Sequence, residues 1–191
     1  MHTVGGVEDI SGNHAIGPES GRILLRTGRA GLAARAGHDL TIEVTRWSAQ
    51  ATVPGDGALE GATVTAELDL TSLAVTEGTG GAKPLTDKDR KDIEGNARKA
   101  LGAGAVARFE SSKIIPSPAG GGTIEGTLTL NGQSRPARLA VAEAGPGRFR
   151  ATATVKQTDF GITPFSGFFG ALKLQDEIGV EVDAGLARGT G

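Results

Sequence analysis

Between Thr123 and Ile162, apolar and polar positions alternate with a period of two through three successive segments. Ile124, Leu128 and Leu130 share one face, with Gly126 between them, while Thr123, Glu125, Thr127 and Thr129 share the other, the pattern of a half-buried strand. Asn131-Gly132 follows, and because both residues tolerate the positive φ of a type I′ turn, the pair predicts a hairpin returning through Leu139 and Val141. After Gly145-Pro146-Gly147, Phe149, Ala151, Ala153 and Val155 alternate with Arg150, Thr152, Thr154 and Lys156. The run ends in the corner Thr158-Asp159-Phe160-Gly161-Ile162.

The same period recurs elsewhere. Ile23 and Leu25 alternate with Arg22, Leu24 and Arg26, and Leu40, Ile42 and Val44 share a face after a Gly/Ala-rich bend. Trp47 shifts the phase by one residue, which predicts a bulge in a strand continuing to Val53. Pro54-Gly55-Asp56-Gly57 turns the chain into a strand carrying Val64, Ala66, Leu68 and Leu70. Val106 to Ile115, with Phe109, and a last strand with Ile178, Val180 and Val182 complete the set. One segment has helical spacing: Thr86 can cap with Asp89 three residues on, Leu85, Ile93, Ala97 and Leu101 form an apolar stripe, and Gly102 stops it. About eight strands and one short connecting helix predict an all-β fold, an eight-stranded antiparallel barrel. A barrel of that size holds either its own side chains or one small ligand.

Composition narrows the function classes. The chain has 191 residues, enough for one domain, and no cysteine, so neither disulfides nor thiol chemistry is available. Residues 1–20 are polar and unpatterned and read as a flexible arm, 21–186 as the barrel domain, and 187–191 as a tail. The opening residues show neither a basic nor an apolar leader region, which reads as a cytoplasmic protein, and no apolar run reaches the length of a membrane span. A net charge of −2, from 20 basic and 22 acidic residues, offers no field for phosphate backbones, so nucleic acid is not an expected partner. The loop Thr76 to Pro84 carries Gly78, Gly80, Gly81 and Lys83, but Lys83 precedes Pro84 rather than the Ser/Thr of a phosphate loop.

The order of several short motifs resembles the YceI-like family: Gly17-Pro18-Glu19-Ser20, Ala36-Gly37-His38-Asp39-Leu40, the strand-loop-helix from Val64 to Leu101, Ala107-Arg108-Phe109-Glu110-Ser111, Gly126 to Gly132, and Thr158 to Ile162. The chain departs from the family's usual Arg-Asp-x-His-Leu run with Arg90-Lys91-Asp92-Ile93. The resemblance implies a lipocalin-like barrel that encloses a polyisoprenoid lipid, such as an isoprenoid quinone, in a long apolar tunnel. It implies no enzyme activity, cofactor or metal.

If that implication holds, the inward faces supply the wall. Leu25, Ile42, Leu68, Phe109, Leu128 and Leu130 stand on those faces, and Ala151 and Ala153 beside Phe149 leave space rather than fill it. Phe160 closes the corner, and the glycine-hinged Phe165-Ser166-Gly167-Phe168-Phe169-Gly170 offers Phe165, Phe168 and Phe169 as a lid, with a core plug or a subunit interface as alternatives. The expected partner is an apolar small-molecule lipid, and the expected state a monomer or homodimer that does not span a membrane. Alternation alone also describes a barrel filled by its own side chains. His38 beside Asp39 is the one pair suggesting a hydrolase or metal-dependent enzyme, but a metal centre needs three or four ligands and no Gly-x-Ser-x-Gly occurs, so a structural histidine is the simpler reading.

Overall fold

The computed structural model describes residues 10–186, and the side chain of Phe168 lies outside the described part. The strands are β1 (Gly12–Ile16), β2 (Gly21–Ala30), β3 (His38–Val44), β4 (Trp47–Val53), β5 (Thr63–Asp69) and β6 (Leu73–Gly80). Helix α1 (Asp87–Leu101) follows, then β7 (Val106–Pro116), β8 (Gly122–Leu130), β9 (Gln133–Gly145), β10 (Arg148–Lys156), β11 (Ser166–Gly167) and β12 (Leu172–Gly185). Among the described residues all strand pairings are antiparallel, and eleven strands form one ladder in the order β1-β4-β5-β7-β8-β9-β10-β12-β2-β3-β6, with β11 added to β12.

The expected eight strands are therefore corrected to a lipocalin-like, curled half-barrel of eleven, and the reason lies at one corner. Val44 and Trp47 are both buried, but between them Thr45 and Arg46 break the strand, and the pairing partners change from β2 and β6 to β1 and β5. What reads as a bulge is a corner. The returning chain breaks opposite, in the 3-10 turn Leu70–Ser72. Arg46 Nε and Nη2 donate to Asp69 Oδ2 at 3.0 and 2.9 Å, Asp69 Oδ1 accepts from the Thr71 N–H at 2.9 Å, and the Thr45 N–H donates to the Ser72 carbonyl at 3.2 Å. β3–β4 and β5–β6 thus form one long hairpin bent in the middle. Because its two halves occupy opposite ends of the ladder, the connections of a few residues draw those ends together and the sheet curls around a lumen.

Helix α1 lies along the free edge of β6. It begins at the predicted capping box, with the Asp89 N–H donating to Thr86 Oγ1 at 3.2 Å and the Thr86 N–H to Asp89 Oδ2 at 2.9 Å. Val75 in β6 uses its outward backbone groups on the helix: its N–H donates to Glu94 Oε1 at 2.9 Å, and Arg90 Nη1 donates to its carbonyl at 3.0 Å. An edge that could template further pairing is covered instead. Leu85, Ile93, Ala97 and Leu101 pack inward against the core.

The expectation of a loose arm through residue 20 does not hold over Gly12–Ile16. That segment pairs with β4, His14 is only 2% exposed with its Nε2 donating to the Ile10 carbonyl at 2.7 Å, and Ile16 joins the core. Elsewhere the turn chemistry is as expected. Asn131 and Gly132 adopt φ of 53° and 71° between β8 and β9, and Gly161 (φ 69°) ends the 3-10 turn Gln157–Phe160. Asn131 Nδ2 donates to the Phe160 carbonyl at 3.0 Å, tying that corner to the hairpin.

Candidate functional site

The lumen is a cavity of about 1130 Å³, above the roughly 300–1,000 Å³ usual for small-molecule pockets. Its wall is built by register. Ile42, Leu25, Val180 and Ala153 face one another across four adjacent strands, as do Ala66, Phe109 and Leu128 across three. Each pair sits directly opposite on the ladder, so one inward residue per strand gives a continuous apolar belt. Gly126, mid-strand in β8, leaves room for the Phe109 ring, since a Cβ there would stand 2.6 Å from Phe109 Cζ.

Leu25, Ile42, Leu68, Phe109, Leu128, Leu130, Phe149, Ala151, Ala153, Phe160 and Phe165 all stand on the cavity wall. Phe169 does not. The turn Phe168–Gly170 kinks at Phe169 (φ 54°, ψ 35°) and its ring ends in solvent, so Phe169 neither lines the lumen nor folds over it. The side chain of Phe168 lies outside the described residues. The wall also contains residues that the strand pattern did not offer as site residues. Trp47, read as a phase breaker, restarts the inward face continued by Ala49, Ala51 and Val53, and the α1 stripe of Ile93, Ala97 and Leu101 supplies another side of the lumen. The signal for both was present, as inward period in β4 and fourfold spacing in α1.

Charged groups gather at one end. Arg29, His38, Lys83, Asp89 and Lys173 reach the cavity there, and the exposure of Lys83, Asp89 and Lys173 marks it as a mouth. His38 Nε2 donates to the Lys83 carbonyl at 2.7 Å; a carbonyl only accepts, so the proton sits on Nε2. A Cβ on Gly80 or Gly81 would collide with Arg29 or with the His38 ring, so the glycine-rich loop is shaped by these two side chains. Asp39 points to the opposite side of β3 from His38, as adjacent strand residues must. It accepts from the Arg29 N–H at 2.9 Å, and Arg29 Nε lies 3.7 Å from the same oxygen. The two residues therefore form no dyad. Hydrogen bonds from the Thr86 backbone and hydroxyl hold the Asp89 carboxyl below the usual carboxylate range. Among the described residues no group of three or more His, Cys, Asp or Glu is placed to hold a metal ion, and no helix is long and apolar enough to cross a membrane.

A family model described as YceI-like domain matches residues 26–186. The chain belongs to the YceI-like family. Solved structures share the fold at low identity. The crystal structure of Burkholderia cenocepacia BcnA superposes with a TM-score of 0.57 at 16% identity, covering 85% of this chain and 94% of that one. A polyisoprenoid binding domain from Saccharophagus degradans, implicated in plant cell wall breakdown, superposes with a TM-score of 0.51 at 11% identity, covering 90% of this chain and 98% of that one. No curated protein sequence matches the chain. Within this YceI-like chain the helix and the bent hairpin enclose the lumen, and the polar mouth is its charged end.

Proposed function

We propose that this protein binds a long apolar lipid, a polyisoprenoid or isoprenoid quinone, within the barrel, and carries or sequesters it without chemical conversion. The observation that carries the reading is the lumen itself: about 1130 Å³ of space walled by apolar side chains from nearly every strand and from α1. An alkenyl chain placed there leaves water at a gain of roughly 25 cal/mol per Å² of apolar surface, and it strands no polar atom of its own. Membership of the YceI-like family and the fold shared with a polyisoprenoid binding domain support the same class of ligand. In this reading Leu25, Ile42, Leu68, Phe109, Leu128, Leu130, Phe149, Ala151 and Ala153 contact the chain, Phe160 bounds it, and Phe165 stands at the mouth.

Purification without detergent, organic extraction and mass spectrometry tests the proposal. The expected result is an isoprenoid recovered with the protein, or stoichiometric uptake of one when it is added. A protein that stays empty and takes up no added isoprenoid refutes it.

A further inference from the structure

Among the described residues four large hydrophobic side chains are exposed, Leu32, Ile115, Phe165 and Phe169, and three of them stand on two loops beside the cavity mouth. A single exposed apolar residue is ordinary, whereas clustering of nearly all of them at one place is not. The two loops are held as one platform. The Ala33 N–H donates to the Ala171 carbonyl at 2.8 Å, and Gly31 (φ +91°) approaches that same carbonyl so closely that a Cβ would strike it. Leu32 and Phe169 are thus next to, and two residues from, a shared hydrogen bond, and both are fully exposed. Phe169 holds its outward position in a left-handed backbone conformation that bulky residues rarely adopt, and such a cost is retained where a segment has a task.

Cations without an ion-pair partner outnumber such carboxylates around this platform. Arg35 lies on the first loop, Lys173 follows the second, and Lys83 borders the mouth; all three are exposed, and no ion pair holds them among the described residues. Of the nearby carboxylates, Asp39 is paired with Arg29 and Asp92 with Lys88, while Asp87 and Asp89 stand at the start of α1, where Asp89 closes the capping box. Apolar tips flanked by unpaired cations match the two layers of an anionic bilayer surface, acyl chains beneath and phosphates above. Phe165, on the cavity wall and 46% exposed, makes the platform continuous with the lumen.

We infer that the Leu32/Phe169 platform docks reversibly on an anionic membrane surface, seating the mouth against the bilayer so that an apolar chain passes between lipid and lumen without crossing water. The passage rests on the proposed isoprenoid-binding function; the docking does not. The test is co-sedimentation of the full chain with phosphatidylcholine vesicles, with and without phosphatidylglycerol. Binding is expected only to the anionic vesicles, weakened by salt, and reduced about tenfold or more in Leu32→Ser/Phe169→Ser, since burying one such side chain is worth at least a factor of ten. Arg35→Glu/Lys173→Glu should reduce it as well, and neither double variant should change the melting temperature. Absence of vesicle binding, or binding undiminished in Leu32→Ser/Phe169→Ser, overturns the inference. So does a dimer that this variant dissolves, because a second copy would then cover the platform. Isoprenoid uptake from dilute ethanol, read by quenching of the lone Trp47, separates the two ideas. Uptake without docking sinks only the inference, and docking without uptake sinks only the isoprenoid reading.

Discussion

Replacing Ala153 with Trp distinguishes a hollow barrel from a filled one, because only the filled one is destabilised. Ala153 projects from β10 into the belt formed with Val180, Leu25 and Ile42. In a close-packed core, so large an insertion costs about 1–3 kcal/mol in strain. For a chain of this length that lowers Tm by about 2–12 °C, at roughly 2–4 °C per kcal/mol. In a lumen of about 1130 Å³ the indole enters open space, so the ligand-free variant should melt no lower than the ligand-free parent. Ligand linkage gives the second readout. At a lipid concentration of about 100 Kd the parent gains about 2.7 kcal/mol, a rise of about 5–11 °C, and the blocked variant should lose most of it. The assay is thermal unfolding followed by circular dichroism, with and without added isoprenoid. A ligand-free variant melting several degrees below the parent, or one that keeps the full ligand-induced rise, refutes a hollow lumen at Ala153.

Three further outcomes follow from particular contacts. Gly126→Ala should cost about 1–3 kcal/mol, because the new Cβ meets the Phe109 ring and the Glu110 carbonyl; an unchanged unfolding midpoint in urea would show that the ring does not lie over β8. The Asp69 carboxyl is held below its ordinary value first by the Thr71 hydroxyl and then by Arg46, so the stability it contributes is present above the unfolded carboxylate value of about 4 and is lost as pH falls through the lower folded value. Asp69→Asn should therefore melt lower than the parent at pH 7 and show a flatter decline on acidification, and parallel pH profiles for the two proteins would contradict the role of the corner. His38→Ala removes one hydrogen bond to the Lys83 carbonyl and should cost about 0.5–1.5 kcal/mol while leaving lipid uptake intact; loss of uptake with unaltered stability would make His38 a ligand-binding group.

The inward faces could be read from the sequence because they depend only on a period of two, and this is why the Leu128/Leu130 and Phe149/Ala151/Ala153 faces both reach the lumen. Partner exchange could not. Periodicity tells which face a residue takes but not which strand lies beside it, so Val44 and Trp47 read as one bulged strand although the chain changes neighbours between them. β6 (Leu73–Gly80) was missed as well: Thr76 to Pro84 reads as a glycine-rich loop, yet the chain stays paired with β3 as far as Gly80. β1 was hidden because Gly12-Asn13-His14-Ala15-Ile16 has a small apolar content, and its burial comes from docking on β4. Phe169 was misplaced because composition does not reveal a left-handed backbone at a bulky residue. The hollow itself had no sequence signal, since the same alternation serves a packed interior.

The pairing of β2 with β12 joins Gly21 to Ala184 and is fastened by a two-pronged contact of Arg26 with Glu181, both prongs at 3.1 Å. That seam sets the order of folding. Strands β3 to β10 can assemble from mostly sequential neighbours, but the wall stays open until the last strand arrives, so the rate carries the cost of the longest loop closure in the chain. Until then β2 and β10 each present an unpaired edge and the greasy inner surface faces solvent, a state suited to aggregation. Under the proposed lipid-binding function, lipid present at that moment would meet an open trough rather than a closed wall.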